Sequence, residues 1–335
     1  MSFISNPTET IGIDVSDHVI RAIVMKGHSR KKRISHFAQI PLDPNIIVDG
    51  EIRDVPSFQD KMERLFSRGI HPKRSTAVVG LPESHGFIKT LQANPEEETK
   101  ELQKHLPFPY KEVTIDSIRK GPFVSFAAIK TAVAQSYLDA LTPLGIHIRA
   151  LEIEPQAIAR LFASELVLNE WPHHGIILGD IGHTHTTFLV IHNGLIEFTH
   201  TSKLISGKTL TGYVQEHFNV SEKEAEGIKL TQQNHPSMQP IIRAHTAALA
   251  NELKRVVDYH RDHPVGDQPI HEYIVYLMGS GSRLSNLRQY LEESVRFPVQ
   301  QAKISTPLSV PRKLQPLILS YGTAIGLALR EFNPL

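Results

Sequence analysis

The chain has 335 residues, with 36 basic against 35 acidic side chains, a formal net charge of +1 and no cysteine. The balance of charge excludes a global field of the kind that gathers nucleic acid or an anionic membrane. The lack of cysteine excludes disulfides, thiolate metal sites and a cysteine nucleophile, and fits a reducing compartment. Residues 1–10 lack the basic-then-apolar layout of a signal peptide, and no apolar run approaches the roughly 20 residues that span a bilayer. The expectation is a cytoplasmic protein of two domains of roughly 150 residues each, touching a membrane only through a partner.

In chain order, residues 11–42 read as successive strands, and the first hairpin, Ile11 to Val24, carries Asp14 where its first strand ends. Lys26, Arg30, Lys31, Lys32 and Arg33 gather at the next turn, where a solvated tip that blunts strand edges is the plain reading. Gly50-Glu51-Ile52 starts another segment. Val55 to Phe66 is an amphipathic helix with Phe58, Met62, Leu65 and Phe66 on one face.

From about 75 to 149 the pattern becomes that of a compact α+β module. Thr76–Leu81 and Phe87–Leu91 read as strands, and Asn94-Pro95-Glu96-Glu97-Glu98 reads as a capped helix start. Leu106-Pro107-Phe108-Pro109-Tyr110 stops that helix. Strands near Val113–Arg119 and Val124–Lys130 precede a helix from about Thr131 to Leu144, ended by Gly145. Ile148 to Phe162 then returns to the pattern of the first lobe, so the module reads as inserted. There a strand ends in Glu154-Pro155 and enters a helix, which places Glu154 at the sheet edge. Glu154 is either a helix-start carboxylate or a group that orients water or a hydrated metal ion.

Trp171 to Gly175 reads as a hinge into a second lobe, which opens on Ile177 to Val190, an apolar strand broken by Asp180-Ile181-Gly182. By itself Asp-x-Gly is a plain hairpin signal. Here it repeats the first hairpin, with Asp14 on Asp180 and Val24 on Val190, and both copies turn again at the same offset, at Gly27 and at Asn193-Gly194. Two equivalent hairpins, each with an aspartate at its first turn, predict two similar lobes facing a shared cleft. A carboxylate at the end of a buried strand is costly unless a cation, hydrogen bonds or water meet it. The Gly182–Thr184 turn offers backbone N–H groups and a hydroxyl suited to phosphate. The histidine pairs His173-His174 and His183/His185 have no third metal ligand fixed by spacing.

Ser206-Gly207-Lys208-Thr209 leads into a helix through Phe218 and resembles the tail of a phosphate-binding loop, without its upstream glycine and spacing. Ser221 to Lys229 is a capping-box helix start with Glu226 and Lys229 one turn apart, which by spacing alone is an exposed ion pair. Ile241–His260 is a long helix. Tyr273–Leu277 is a buried strand delivering Gly279-Ser280-Gly281 before a helix from about Leu284 to Glu293, a place where backbone can approach a ligand. Tyr321–Leu329 is a helix of small residues suited to tight packing.

This order of parts resembles the actin-like ATPase superfamily, an α/β fold in which two lobes clamp a nucleotide and its metal. The resemblance is closest to the PilM family of type IV pilus assembly proteins, on Gly50-Glu51-Ile52, Ala77 to Ser84, Leu106-Pro107-Phe108-Pro109 with Val113–Asp116, Tyr137-Leu138 with Leu141, Ala225-Glu226 with Lys229, and Gly326 to Arg330. It covers nearly the whole length.

The resemblance implies a first lobe (IA) over 1–74 plus 150–170, an inserted IC subdomain over 75–149 like that of the related cell-division protein FtsA, and a second lobe (IIA/IIB) over 171–335. It implies ATP and Mg2+ as cofactors. Asp14 and Ser16 would belong to the first phosphate loop, and Asp180, Gly182 and Thr184 to the second. Glu226 and Lys229 would pack on ribose and base, and Gly279, Ser280 and Gly281 would form the adenosine loop. Asp14 and Asp180 would hold the metal through water, and Glu154 would orient the hydrolytic water. Ser16 and Ser280 stand where the family usually has glycine, and His183 adds bulk to the second loop, so at most a weak ATPase is implied.

The implied function is a nucleotide-binding scaffold of the inner-membrane assembly platform. It would bind the N-terminal cytoplasmic peptide of a PilN-like partner, link it to other platform and motor proteins, and sit at the membrane only indirectly, with no nucleic acid; self-association is left open. Peptide docking between the IC module and the first lobe would draw on Pro107 and Phe108, although Phe108 reads first as core. The alternatives are an FtsA-like polymerising adaptor of cell division, disfavoured by the lack of a C-terminal membrane helix, and a small-molecule kinase of the same superfamily.

Overall fold

The computed structural model describes residues 9–28, 31–72, 75–162, 174–266, 270, 272–304 and 307–332. The chain divides into two units, Met1–Leu168 with Ile304–Leu335, and Asn169–Lys303.

The first unit opens with β1 (Glu9–Val15), β2 (Val19–His28), β3 (Lys31–Pro41), the short pair β4 (Ile47–Val48) and β5 (Glu51–Ile52), α1 (Val55–Phe66) and β6 (Thr76–Leu81). Asp54 caps α1 by accepting the Ser57 N–H, and of the predicted face Phe58, Met62 and Leu65 are buried while Phe66 is half-buried. The module follows as β7 (Gly86–Gln92), α2 (Glu98–His105), β8 (Val113–Lys120), β9 (Phe123–Lys130) and α3 (Thr131–Leu141), with β7, β9 and β8 antiparallel in that order. Helix α2 begins later than the Asn-Pro signal predicts. Asn94 and Pro95 instead form a turn in which the Asn94 carbonyl accepts the Glu97 N–H at 3.0 Å. The chain returns through β10 (His147–Ile153) into α4 (Glu154–Leu161).

The second unit runs β11 (His174–Ile181), β12 (Thr186–His192), β13 (Leu195–Ser202), α5 (Gly207–Phe218), α6 (Glu222–Thr231), α7 (Gln239–Asp262), β14 (Glu272–Met278), α8 (Leu287–Val295) and β15 (Val299–Gln301). A single 3-10 turn, Gly281–Arg283, follows the glycines, and α8 begins at Leu287, a little after the expected start at about Leu284. Asn286, in the left-handed region at φ 62°, separates that turn from α8. The hinge expected at Trp171–Gly175 falls largely outside the described residues.

β16 (Leu308–Ser309) and α9 (Gly322–Leu329) complete the first unit, and this corrects the expectation that everything after 171 belongs to the second lobe. The reason is close packing. A Cβ on Gly12 of β1 would stand 2.0 Å from the Ala324 carbonyl oxygen, and one on Gly326 would stand 2.0 Å from that of Ala157 in α4. Helix α9 therefore wedges between β1 and α4 at distances only glycine allows. Arg160 of α4, fully buried, pairs with Glu152 and donates to the Gly326 carbonyl at 3.1 Å, which fastens the same junction.

The two units share one plan. In the first, the strands lie in the order β3-β2-β1-β6-β10; in the second, β13-β12-β11-β14-β15. In each, the first three strands form an antiparallel meander, and the first strand then pairs in parallel with the strand that follows an excursion. The predicted duplication is thus a duplication of topology, and β1 and β12 are buried along nearly all their length, as central strands covered on both faces are.

A pair of acidic turns as the candidate functional site

The two predicted phosphate turns have the same backbone. In the first, the Ser16 N–H donates to the Val19 carbonyl at 3.1 Å; in the second, the Gly182 N–H donates to the His185 carbonyl at 2.9 Å. The register agrees as well, with Asp14 opposite Arg21 and Asp180 opposite Thr187.

In the first unit, Asp14 is buried and its Oδ2 lies 3.6 Å from Arg21 Nη1. Burial raises its pKa above the ordinary carboxylate value, against the pull of the Arg21 charge and hydrogen bond. Arg21 also lies 5.9 Å over the Tyr321 ring, and its Nε is buried without a hydrogen-bond partner. The Ser16 hydroxyl donates to the Val19 carbonyl at 2.9 Å, so the serine that replaces glycine is drawn into its own turn. Glu154 is the first residue of α4, as Pro155 predicts. Burial drives the Tyr137 hydroxyl pKa far up, and Glu154, Asp17 and Asp14 add to it, so three carboxylates act on one phenol.

In the second unit, the carbonyls of Gly182 and His183 accept the N–H groups of Gly207 (2.9 Å) and Lys208 (2.8 Å), which seats the start of α5 directly on the turn. Ser206 caps α5 by accepting the Thr209 N–H at 3.1 Å. Thr184 Oγ1 is 3.1 Å from His185 Nδ1. The His183 imidazole is held below its ordinary pKa by burial first, then by the charges of Lys229 and Lys208, partly offset by Glu226. The turn therefore lies in a mixed field of two lysines and two glutamates, Glu226 and Glu222.

Glu226 and Lys229 are not the exposed pair that spacing alone suggests. Lys229 is 8% exposed and its Nζ donates to the Gly207 carbonyl (3.1 Å), Thr211 Oγ1 (2.8 Å) and Glu226 Oε2 (2.6 Å). Burial raises the Glu226 pKa, but the hydrogen bonds from Lys229 and Thr211 outweigh it and leave the carboxyl below the ordinary value. The glycine loop also meets the turn. Gly279 has φ 80°, and a Cβ there would stand 2.2 Å from Asp180 Oδ1 and 2.5 Å from the Ile181 carbonyl. A Cβ on Gly281 would reach Ile181 Cγ2 at 2.3 Å. Ser280 precedes the 3-10 turn, and the Gly279 carbonyl accepts the Ser282 hydroxyl at 2.8 Å.

Sequence reading missed Arg21 and Lys208. Arg21 was legible from the hairpin register, which sets it opposite Asp14. Lys208 lies in Ser-Gly-Lys-Thr, where the Gly207 and Lys208 N–H groups donate to carbonyls of the second turn. Phe108 is half-buried rather than core, with Lys130 Nζ 5.0 Å over its ring, and Pro107 beside it is exposed. Among the described residues no group of three His, Asp or Glu side chains is placed to hold a metal ion.

Two units of one strand order, each with an aspartate at the end of its first strand and a matching turn beyond it, define an actin-like ATPase fold. Over residues 12–332 the sequence matches the family described as type IV pilus assembly protein PilM, and the chain belongs to that family. It is similar to the solved PilM-PilN type IV pilus biogenesis complex, at 21% identity and a TM-score of 0.81, over 97% of this chain and 99% of that one. It is also similar to the ethanolamine utilization protein EutJ from Carboxydothermus hydrogenoformans (17% identity, TM-score 0.61, 96% and 90% covered). A third similar structure is MreB5 of Spiroplasma citri bound to ADP (13% identity, TM-score 0.57, 96% of each chain).

Proposed function

We propose that this protein is a nucleotide-binding scaffold of the type IV pilus assembly platform, which binds ATP with Mg2+ and the N-terminal cytoplasmic peptide of a PilN-like partner. The observation that carries this reading is the doubled acidic turn, with Arg21 3.6 Å from Asp14 at the first copy and the start of α5, Gly207 and Lys208, hydrogen-bonded through its backbone onto the second. Phosphates carry charge for which lysine and arginine are the natural partners. A magnesium ion, a hard cation that keeps most of its waters, is suited by one or two carboxylates together with the phosphates. Asp14 and Asp180 are the carboxylates for that role, the Thr184 hydroxyl and the second turn would receive phosphate, and Glu226 with Gly279, Ser280 and Gly281 would frame the nucleoside. Mg2+ would neutralise the phosphates. Glu154 would orient water, and with the Ser16 hydroxyl turned into its own backbone the expected turnover is slow. The domain roles follow: the first lobe with its inserted module, and a second lobe whose α5 and α6 are pinned by Lys229.

The relative solved as a PilM-PilN complex supports a peptide partner for this chain. The surface at Pro107, Phe108 and the 46% exposed Tyr110 offers apolar contact area next to Lys130. Docking there would link the partner to the motor proteins and hold this chain at the cytoplasmic face of the inner membrane. Among the described residues no helix is long and apolar enough to cross a membrane.

Calorimetric titration of the whole chain with Mg-ATP, beside Asp14→Ala and Asp180→Ala, tests the reading. Wild type binds, and each variant loses at least tenfold in affinity, about 1.4 kcal/mol. Wild type without affinity, or variants that bind equally well, would reject it.

A further inference from the structure

The turn joining β4 to β5 is a two-residue Asp49-Gly50 hairpin with both residues in the left-handed region, at φ 53° and 81°. Every backbone polar group of those two residues is engaged. The Asp49 and Gly50 N–H groups donate to the two carboxylate oxygens of Asp17, at 3.1 and 2.9 Å. The Asp49 carbonyl lies 3.0 Å from the Ser84 hydroxyl and 2.9 Å from His85 Nε2, both just ahead of β7. The Gly50 carbonyl accepts the Tyr137 hydroxyl of α3 at 2.9 Å. A Cβ on Gly50 would stand 2.4 Å from Pro82 Cβ, so the tip is also locked sterically against the segment entering the module.

The attachments are asymmetric. Asp17 belongs to the first acidic turn, three residues after Asp14. Tyr137 belongs to the inserted module, and Ser84 and His85 to the segment that leads into it. Tyr137 is fully buried and its pKa is driven far up, so its hydroxyl keeps its proton and stays a donor across the ordinary pH range. A carboxylate holding two adjacent N–H groups resists shear and torsion more than one bond would. A shift of the first turn is therefore transmitted to the Asp49-Gly50 tip, and from the tip to α3 through the buried Tyr137 hydroxyl and to the segment ahead of β7.

We propose that the Asp49-Gly50 tip is a mechanical relay that couples nucleotide occupancy of the first acidic turn to the peptide-docking state of the inserted module, with Asp17 and Tyr137 as its two ends. This rests on the nucleotide and peptide binding proposed above. Because binding linkage is reciprocal, the peptide changes nucleotide affinity by the same factor.

The test uses the whole chain, Mg-ATP and a synthetic peptide of the partner's N-terminal segment. Peptide affinity is measured with and without saturating Mg-ATP in wild type, Tyr137→Phe, Asp17→Asn and, as a control on the exposed face of α3, Gln135→Ala. Wild type and Gln135→Ala show at least about a 5-fold effect of one ligand on the other. In Tyr137→Phe each ligand alone binds within about 2-fold of wild type, while the effect of one on the other falls below 2-fold. Asp17→Asn, if it folds, also brings the effect of one ligand on the other below about 2-fold, and Tyr137→Phe, which lies outside the acidic turn and keeps its ring, decides the question. Full coupling in Tyr137→Phe, or a wild type that binds both ligands independently, overturns the relay and leaves the proposed function standing. A wild type that binds neither ligand overturns both.

Discussion

Asp14 and Arg21 face each other across β1 and β2, with 3.6 Å between Oδ2 and Nη1, at the same register at which Asp180 faces Thr187. The fold thus repeats its acidic turn with arginine at the facing register position of one copy and threonine at that of the other. A carboxylate as buried as Asp14 is costly to ionise, and Arg21 is what makes the charged form tolerable there.

Arg21→Met should therefore lower stability at neutral pH by about 3 kcal/mol, read by urea denaturation. The sign with pH follows from the raised pKa of Asp14, since the folded state holds this proton more tightly than the unfolded chain. Acidification through that raised value protonates the carboxyl, which then needs no cation, and the gap between variant and wild type narrows. A gap independent of pH would show that Arg21 acts through packing on Tyr321 instead.

Gly279→Ala is the corresponding change in the second unit. The new methyl would stand 2.2 Å from Asp180 Oδ1, at a φ of 80° that L side chains rarely adopt. We expect at least about 2 kcal/mol of destabilisation from backbone strain alone, together with displacement of the Asp180 carboxylate. Mg-ATP affinity measured on the folded fraction should fall at least tenfold. Unchanged affinity would mean that this loop does not set the position of Asp180.

The second unit also buries a polar chain. Glu197 of β13 is 3.0 Å from His192 Nδ1 and 2.5 Å from His260 Nε2, and His260 Nδ1 is 2.8 Å from the Tyr273 hydroxyl. All four side chains are buried. The Glu197 carboxylate accepts, so the imidazole atoms that face it carry N–H. Burial raises the Glu197 pKa, but the two imidazole hydrogen bonds and charges outweigh it and hold the carboxyl below its ordinary value. Its contribution to stability is therefore complete above the ordinary carboxylate range and is lost as pH falls through the lowered folded-state value. Glu197→Ala strands two buried donors and should cost about 3 kcal/mol at pH 7, with a shallower acid limb in a pH series of denaturation curves. An acid limb as steep as wild type would assign acid unfolding to other groups.

His245 on α7 also loses stability in acid, for a different reason. It is 3% exposed, its Nδ1 has no hydrogen-bond partner, and burial, helped by the charge of Lys229, pushes its pKa down to about 4. The unfolded chain binds this proton near pH 6.5 and the folded state does not, so stability falls as pH drops from about 6.5 to about 4, by about 3 kcal/mol in all. His245→Leu removes a stranded acceptor and should match or exceed wild type at pH 7, with that slope gone. Persistence of the slope between those pH values in His245→Leu would reject the assignment.

The sequence by itself determined the features whose cause is local. The doubled hairpin is written in apolar runs, Asp-x-Gly and tight-turn residues within about a dozen positions, so Asp14 and Asp180, the strand order that follows from two meanders, and the family were all legible. Periodicity also found most of the buried face of α1. It says which face is buried, however, and not what that face meets. Tertiary structure alone decided that α9 packs between β1 and α4, because Gly12 and Gly326 admit it there. It likewise turned Lys229 from a surface charge into a three-bond anchor, and brought Asp17 onto a peptide 33 residues away. In each case the deciding quantity was a hydrogen bond or a contact distance between segments far apart in the chain, which only the assembled packing fixes.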